Sequence, residues 1–238
     1  MKGFEHTRFP GGDEPIPTLA SEASPAVAFF DLDGTLVSGQ TTLLLIRFLR
    51  RAGVVSRTFL VGTGLWFLAY KAGLVKVTEG SRSKSASVLK GLGTTEVETL
   101  MKRFSEEQLV PRLHRGASAA LSQHLAAGDR VVVLSAALDP VVRALCERLQ
   151  VPEYVGASCE VQGDAYTGRL HGTVPYGEEK ARVAAEFMHR WGADPSGCWA
   201  YADHETDIAL LRSVGHPVAV SPRPALLEVA KTAGWPIL

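Results

Sequence analysis

The stretch Ala28-Phe29-Phe30-Asp31-Leu32-Asp33-Gly34-Thr35-Leu36-Val37 limits the possible fold more than any other part of the chain. An apolar run stops at two carboxylates one residue apart, followed by a Gly-Thr turn. That is the pattern of a buried strand delivering acids at its C-terminal end. Burying unpaired charge costs on the order of several kcal/mol. Such a pair therefore persists only where a cation, a bound ligand or chemistry uses it. Residues i and i+2 of a strand point to the same side, so the extended reading sets Asp31 and Asp33 around one small volume. In an open parallel sheet that volume is the usual ligand crevice.

The rest of the chain supports such a sheet. Residues 1–25 carry Pro10, Pro15 and Pro17 without an apolar signal-peptide core, and read as a flexible leader. From Ser38 to about Arg115 the pattern is helical. Thr41 to Arg51 sets Leu43, Leu44, Ile46, Phe48 and Leu49 against Arg47, Arg50 and Arg51, with Gly53 as its stop. Further helices are expected over about 56–72 and 78–89, with Thr78 as N-cap, and from Thr94 or Thr95 to about Leu109. From Gly116 strands and helices alternate. Strands are expected at Arg130–Leu134, Tyr154–Cys159, Cys198–Ala202 and Val218–Val220. Helices fall at 117–127, 139–150, 180–191 and 224–232, and a hairpin at 160–171 turns at Gly163-Asp164 and Gly168. Five short strands alternating with helices predict a doubly wound, Rossmann-like α/β fold with a parallel sheet. The expected domains are a core of 26–37 and 116–238, with an all-helical cap of 38–115 inserted after the first strand.

The composition excludes several alternatives. The 238 residues are 46% hydrophobic and 21% charged, as in ordinary globular proteins. Twenty-five Lys and Arg balance twenty-five Asp and Glu, so no global field recruits nucleic acid or an anionic membrane. Cys146, Cys159 and Cys198 are unclustered and odd in number, which fits a reducing, cytoplasmic setting better than a disulfide scaffold or zinc site. The segment 58–75 is the nearest approach to a membrane span. Three glycines and Lys71 leave it short of the roughly 20 uninterrupted apolar residues a span needs. A monomer or homodimer is expected.

The motif Asp31-Leu32-Asp33-Gly34-Thr35-Leu36 resembles the first signature of the haloacid dehalogenase (HAD) superfamily. Three further signatures follow in that family's order: a strand ending at Ser135, Lys180 opening a helix, and the acids of Tyr201-Ala202-Asp203-His204-Glu205-Thr206-Asp207. The resemblance is closest to the phosphoserine-phosphatase-like branch, which has a helical cap. It implies a Mg²⁺-dependent phosphatase of a small phosphomonoester, working through an aspartyl-phosphate. Asp31 would be the nucleophile and Asp33 the general acid/base. Gly34, Ser135, Ala136 and Lys180 would hold phosphate. Asp31, the Asp33 carbonyl and Asp203 would hold the metal, with Asp207 and His204 behind them. The last signature departs from the commonest form, Gly-Asp-Ser-x-x-Asp, at Ala202 and His204 but keeps both acids. His204 either orients water or caps the local turn, and capping is favoured.

Phosphoserine phosphatases hold the substrate ammonium with a Glu nine residues after the nucleophile and its carboxylate with a cap Arg. Here those positions are Gln40 and Ser85, with Arg82 or Lys84 able to compensate in another register. Phosphoserine is thereby disfavoured. The apolar block 59–70, with Trp66 and Phe67, suggests as alternatives a lipid-linked or hydrophobic phosphomonoester and peripheral membrane contact by the cap. A non-catalytic phospho-ligand binding module and transfer of the phosphoryl group to an alcohol also stay open.

Overall fold

The computed structural model of the chain describes residues 26–54 and 85–238. Five strands form one parallel sheet: β1 (Val27–Phe30), β2 (Arg130–Leu138), β3 (Glu153–Ala157), β6 (Trp199–Ala202) and β7 (His216–Ala219), in the order β3-β2-β1-β6-β7. A separate antiparallel hairpin consists of β4 (Cys159–Gln162) and β5 (Ala165–Leu170).

β1 occupies the centre because its four residues are all apolar and all buried, as a strand covered on both faces requires. Alternation then divides the core. Ala28 and Phe30 join Val131, Val133 and Tyr201 on one face. Val27 and Phe29 join Val132, Leu134 and Ala200 on the other. The first face is covered by α1 (Thr41–Arg51), α2 (Thr94–Phe104), α3 (Arg115–Ala127) and α4 (Asp139–Leu149), through Phe48, Met101, Leu121 and Leu145. The second is covered by α5 (Glu178–Trp191), α6 (Ile208–Arg212) and α7 (Pro224–Ala233), through Phe187, Leu211 and Leu226. The described residues of 38–115 thus share one apolar cluster with the sheet.

α1 and α5 occupy the spans their apolar spacing predicts, and Gly53 stands just past α1 with φ +76°. Three expectations change in detail. The strand over 130–134 continues to Leu138, with a register break between Leu134 and Leu138, so Ser135 lies inside β2 and α4 begins four residues later. The helix from Thr94 ends at Phe104 and is followed by a widened turn over Ser105–Leu109. Gly168 lies within β5, where a Cβ would sit 2.8 Å from Lys90 Cβ, so it marks a close approach and not a turn. Thr94 Oγ1 and the Thr94 amide both bond Asp164, tying the hairpin to the start of α2. The leader, the helix over 56–72, most of that over 78–89, and the block 59–70 lie outside the described residues; Ala86–Leu89 is a 3-10 turn. Among the described residues no helix is long and apolar enough to cross a membrane.

Candidate active site

The C-terminal ends of β1, β2 and β6 meet at a cavity of about 410 Å³. β1 stops at Phe30, so strand periodicity does not carry Asp31 and Asp33 to one side. The chain turns instead, with the Gly34 amide donating to the Val37 carbonyl (2.8 Å) and the Val37 amide to the Leu32 carbonyl (2.9 Å). That turn returns Asp33 to the cavity that Asp31 lines. Gly34 has φ +86°, and a Cβ there would lie 2.2 Å from Asp203 Oδ2. Only glycine lets the two strand tips approach this closely.

Lys180, in the first turn of α5, is 3% exposed. Its Nζ donates to Asp31 Oδ1 at 2.5 Å and to Asp207 Oδ2 at 2.9 Å. Burial pulls the ammonium toward neutrality, but Asp31 and Asp207 together outweigh it and hold its pKa above the usual lysine value. Thr35 Oγ1 lies within hydrogen-bond reach of Asp31 Oδ2 (3.2 Å) and Asp203 Oδ1 (3.4 Å), linking β1 to β6. Asp33 accepts from the Thr41 amide at 2.7 Å and from the Thr41 hydroxyl at 3.1 Å, at the first residue of α1. Burial and then Asp31 push its carboxyl up to about 6, against the pull of the Thr41 bonds. Ser135 Oγ accepts from the Ala137 amide at 3.0 Å, which leaves its own proton to be donated. The bulged end of β2 puts Ser135 and Ala136 themselves on the cavity wall.

Asp203 and Asp207 are buried beyond the end of β6. Burial raises the pKa of both, and the charge of Asp31 adds to each shift. Arg223 Nε approaches Asp203 Oδ2 at 3.7 Å, and the Arg223 amide donates to the Asp203 carbonyl at 2.9 Å. His204 acts as a cap: its Nδ1 accepts from the Thr206 amide at 3.2 Å and lies 3.0 Å from the Thr206 hydroxyl. Gln40 lines the cavity, whereas Ser85 lines a small neighbouring cleft with Leu45 and Val141; Arg82 and Lys84 lie outside the described residues. Thr35, Thr41, Tyr176 and Arg223 belong to the site but carry no motif that would have singled them out. Only the Asp-Gly-Thr sequence hinted at Thr35.

The donor set fits a hard divalent cation. Asp31 and Asp207 share one buried amine, the buried Asp203 has no lysine, and among the described residues Asp207 Oδ1 is buried without a hydrogen-bond partner. Among the described residues no three carboxylate, imidazole or thiolate side chains converge on one point. A cation here would be completed by a backbone carbonyl and waters, which is how Mg²⁺ is commonly held on one or two carboxylates.

Residues 28–212 match the haloacid dehalogenase-like hydrolase family. The inhibition of morphological differentiation protein of Streptomyces azureus is 30% identical over 89% of this chain and 77% of its own length. Phosphoserine phosphatase SerB1 of Mycobacterium tuberculosis is 28% identical over 94% of this chain and 75% of its own. A crystal structure of a protein of unknown function from Bordetella pertussis Tohama I superposes with a TM-score of 0.81 at 24% identity, covering 91% of this chain and 99% of that one.

Proposed function

The chain belongs to the haloacid dehalogenase-like hydrolase family, on its phosphoserine-phosphatase-like branch, and is a phosphoric monoester hydrolase; from that premise we propose that it works through a phosphorylated Asp31 with Mg²⁺. The observation that carries the reading is the buried Lys180 amine held between Asp31 and Asp207, 149 and 27 positions away in sequence. Such convergence has little structural purpose, because a buried ion pair rarely stabilises more than an apolar contact of the same size.

A phosphomonoester dianion must approach an anionic nucleophile. Lys180 offsets that repulsion, while the Ser135 hydroxyl and the Gly34 and Ala136 amides take the phosphoryl oxygens. Asp31 attacks phosphorus and the bond to the leaving oxygen breaks. Asp33, whose carboxyl titrates near 6, gives its proton to that oxygen. It then takes a proton from the water that attacks the acyl phosphate, and the Asp31–phosphorus bond breaks to release phosphate. Asp31, Asp203 and the Asp33 carbonyl would hold Mg²⁺, with Asp207 bonded to its water. The ion supplies charge neutralisation for the transferring phosphoryl group.

The insertion 38–115 is proposed as a cap on the core of 26–37 and 116–238, and Gly39, Gln40 and Thr42 bring its start to the cavity wall. The substrate is proposed to be a small phosphomonoester other than phosphoserine, since the neutral Gln40 stands where an ammonium would need an acid. The test is phosphate release from an aryl phosphate and a metabolite panel, with and without Mg²⁺. Mg²⁺-dependent release lost in Asp31→Asn supports the reading, and full activity in that variant overturns it.

A further inference from the structure

Once the proposed catalytic groups are set aside, the cavity keeps one side chain of fixed charge among the described residues, Arg223. It is held there deliberately by the backbone. Ser221 adopts φ +40°, a region that side-chain-bearing residues avoid. Its amide donates to the Leu238 carbonyl (2.8 Å) and its hydroxyl lies 3.1 Å from His114 Nε2. Two residues on, the Arg223 amide is bonded to the Asp203 carbonyl and Pro224 opens α7. The guanidinium itself is weakly used: its side chain is 50% exposed and its ion pair with Asp203 spans 3.7 Å. So exposed and long a pair adds little stability. Among the described residues the acids of the cavity wall already have a use: Asp31 and Asp207 hold Lys180, Asp33 holds Thr41, and in the proposed mechanism Asp203 and the second oxygen of Asp207 serve the cation and its water.

Long-range charge points the same way. Residues 38–115 contain thirteen Lys and Arg against five Asp and Glu, a net charge of +8, and the rest of the chain carries −8. Charge separated in this manner draws anions toward the basic part.

We infer that Arg223 is a specificity residue that reads a second anionic group on the alcohol side of the ester, a carboxylate or a further phosphate. The preferred substrates are then phosphomonoesters of anionic alcohols. This rests on the phosphatase reading above. A guanidinium offers a carboxylate or phosphate two parallel N–H donors and offers an ammonium only repulsion.

Three esters with two-carbon leaving groups isolate the effect: 2-phosphoglycolate, 2-hydroxyethyl phosphate and O-phosphoethanolamine, whose alcohols carry −1, 0 and +1. The expected kcat/KM falls in that order, with at least about tenfold between the extremes. Arg223→Gln should bring the ratio close to one, chiefly by raising KM for 2-phosphoglycolate, and Arg223→Lys should keep part of it. Added NaCl should narrow the ordering. Equal rates for the three esters, preference for the ammonium ester, or an Arg223→Gln variant that slows all three equally would overturn the inference. Turnover of an aryl phosphate but of none of the three also overturns it. Absence of phosphate release from every ester, the aryl phosphate included, would instead remove the proposed hydrolysis and this inference with it.

Discussion

The tips of β1 and β6 both end in acids, but their carboxylates are partnered very differently. At β1, Asp31 has the Lys180 amine and the Thr35 hydroxyl, and Asp33 has the amide and hydroxyl of Thr41. At β6, among the described residues, one oxygen of Asp207 meets Lys180 and the other has no hydrogen-bond partner, while the Asp203 carboxylate has a 3.4 Å contact with Thr35 and the 3.7 Å contact with Arg223. Uncompensated negative charge therefore concentrates at β6. In the proposed mechanism the difference is a division of labour: β1 bears the proposed nucleophile and proton carrier in fixed geometry, and β6 bears the excess negative charge that a cation would offset.

Substitutions at the two tips should separate these roles. The largest effect belongs to β1: Asp31→Asn should lower kcat on an aryl phosphate by about 10⁴-fold or more, with the far-UV circular dichroism unchanged. Retained turnover would erase the distinction between the tips. Next comes Gly34→Ala, where the tips touch. Its methyl would sit 2.2 Å from Asp203 Oδ2 at a φ of +86°. Overpacking of about 1–3 kcal/mol converts to a loss in melting temperature on the order of 5 °C for a chain of this size, readable by calorimetry. An unchanged melt would mean the tips are not locked together.

Asp203→Asn should raise the Mg²⁺ concentration for half-maximal activity by about 10–100-fold, and a Mn²⁺ titration followed by electron paramagnetic resonance should show the same loss of affinity. Asp33→Asn, which keeps the backbone carbonyl, should lower kcat and leave that affinity close to wild type. Equal effects of the two would collapse the comparison. The smallest effect is that of pH on the metal-free protein. Asp33 is raised from 3.8 to about 6, and Asp203 and Asp207 are raised as well. A carboxyl held above its unfolded value favours the protonated folded state. Its contribution is fully present below about pH 4 and is lost as the pH climbs through about 6. In EDTA the melting temperature should fall by a few degrees between pH 5 and 7.5, and Mg²⁺ should cancel the fall. A melting temperature that rises with pH in EDTA would contradict the charge surplus at β6.

Much of this was legible from local pattern. α1 at Thr41–Arg51 and α5 at Glu178–Trp191 follow from amphipathic spacing and flanking glycines, and Val27–Phe30 from an apolar run that stops at acids. The extension of β2 past Ser135 was not, because the small residues Ser135, Ala136 and Ala137 in the irregular stretch signal neither continuation nor break. Asp33 as the anchor of Thr41 was hidden for a different reason. An acid eight positions ahead of a helix has no fixed relation to it until the turn at Gly34 is made. Arg223 sits in a loop that becomes part of the site only when β7 pairs with β6.

Chemical identity belongs to the sequence alone. The order of strands and helices, the acids at two strand ends and the lysine at the head of a helix all follow from residue type and spacing, because those depend on neighbours a few positions apart. Compensation belongs to the fold. Whether Asp31 is neutralised, whether Asp207 keeps an unpartnered oxygen and whether Arg223 faces the substrate depend on burial and on contacts between distant residues, and electrostatic energy in a desolvated site is set by separations in space.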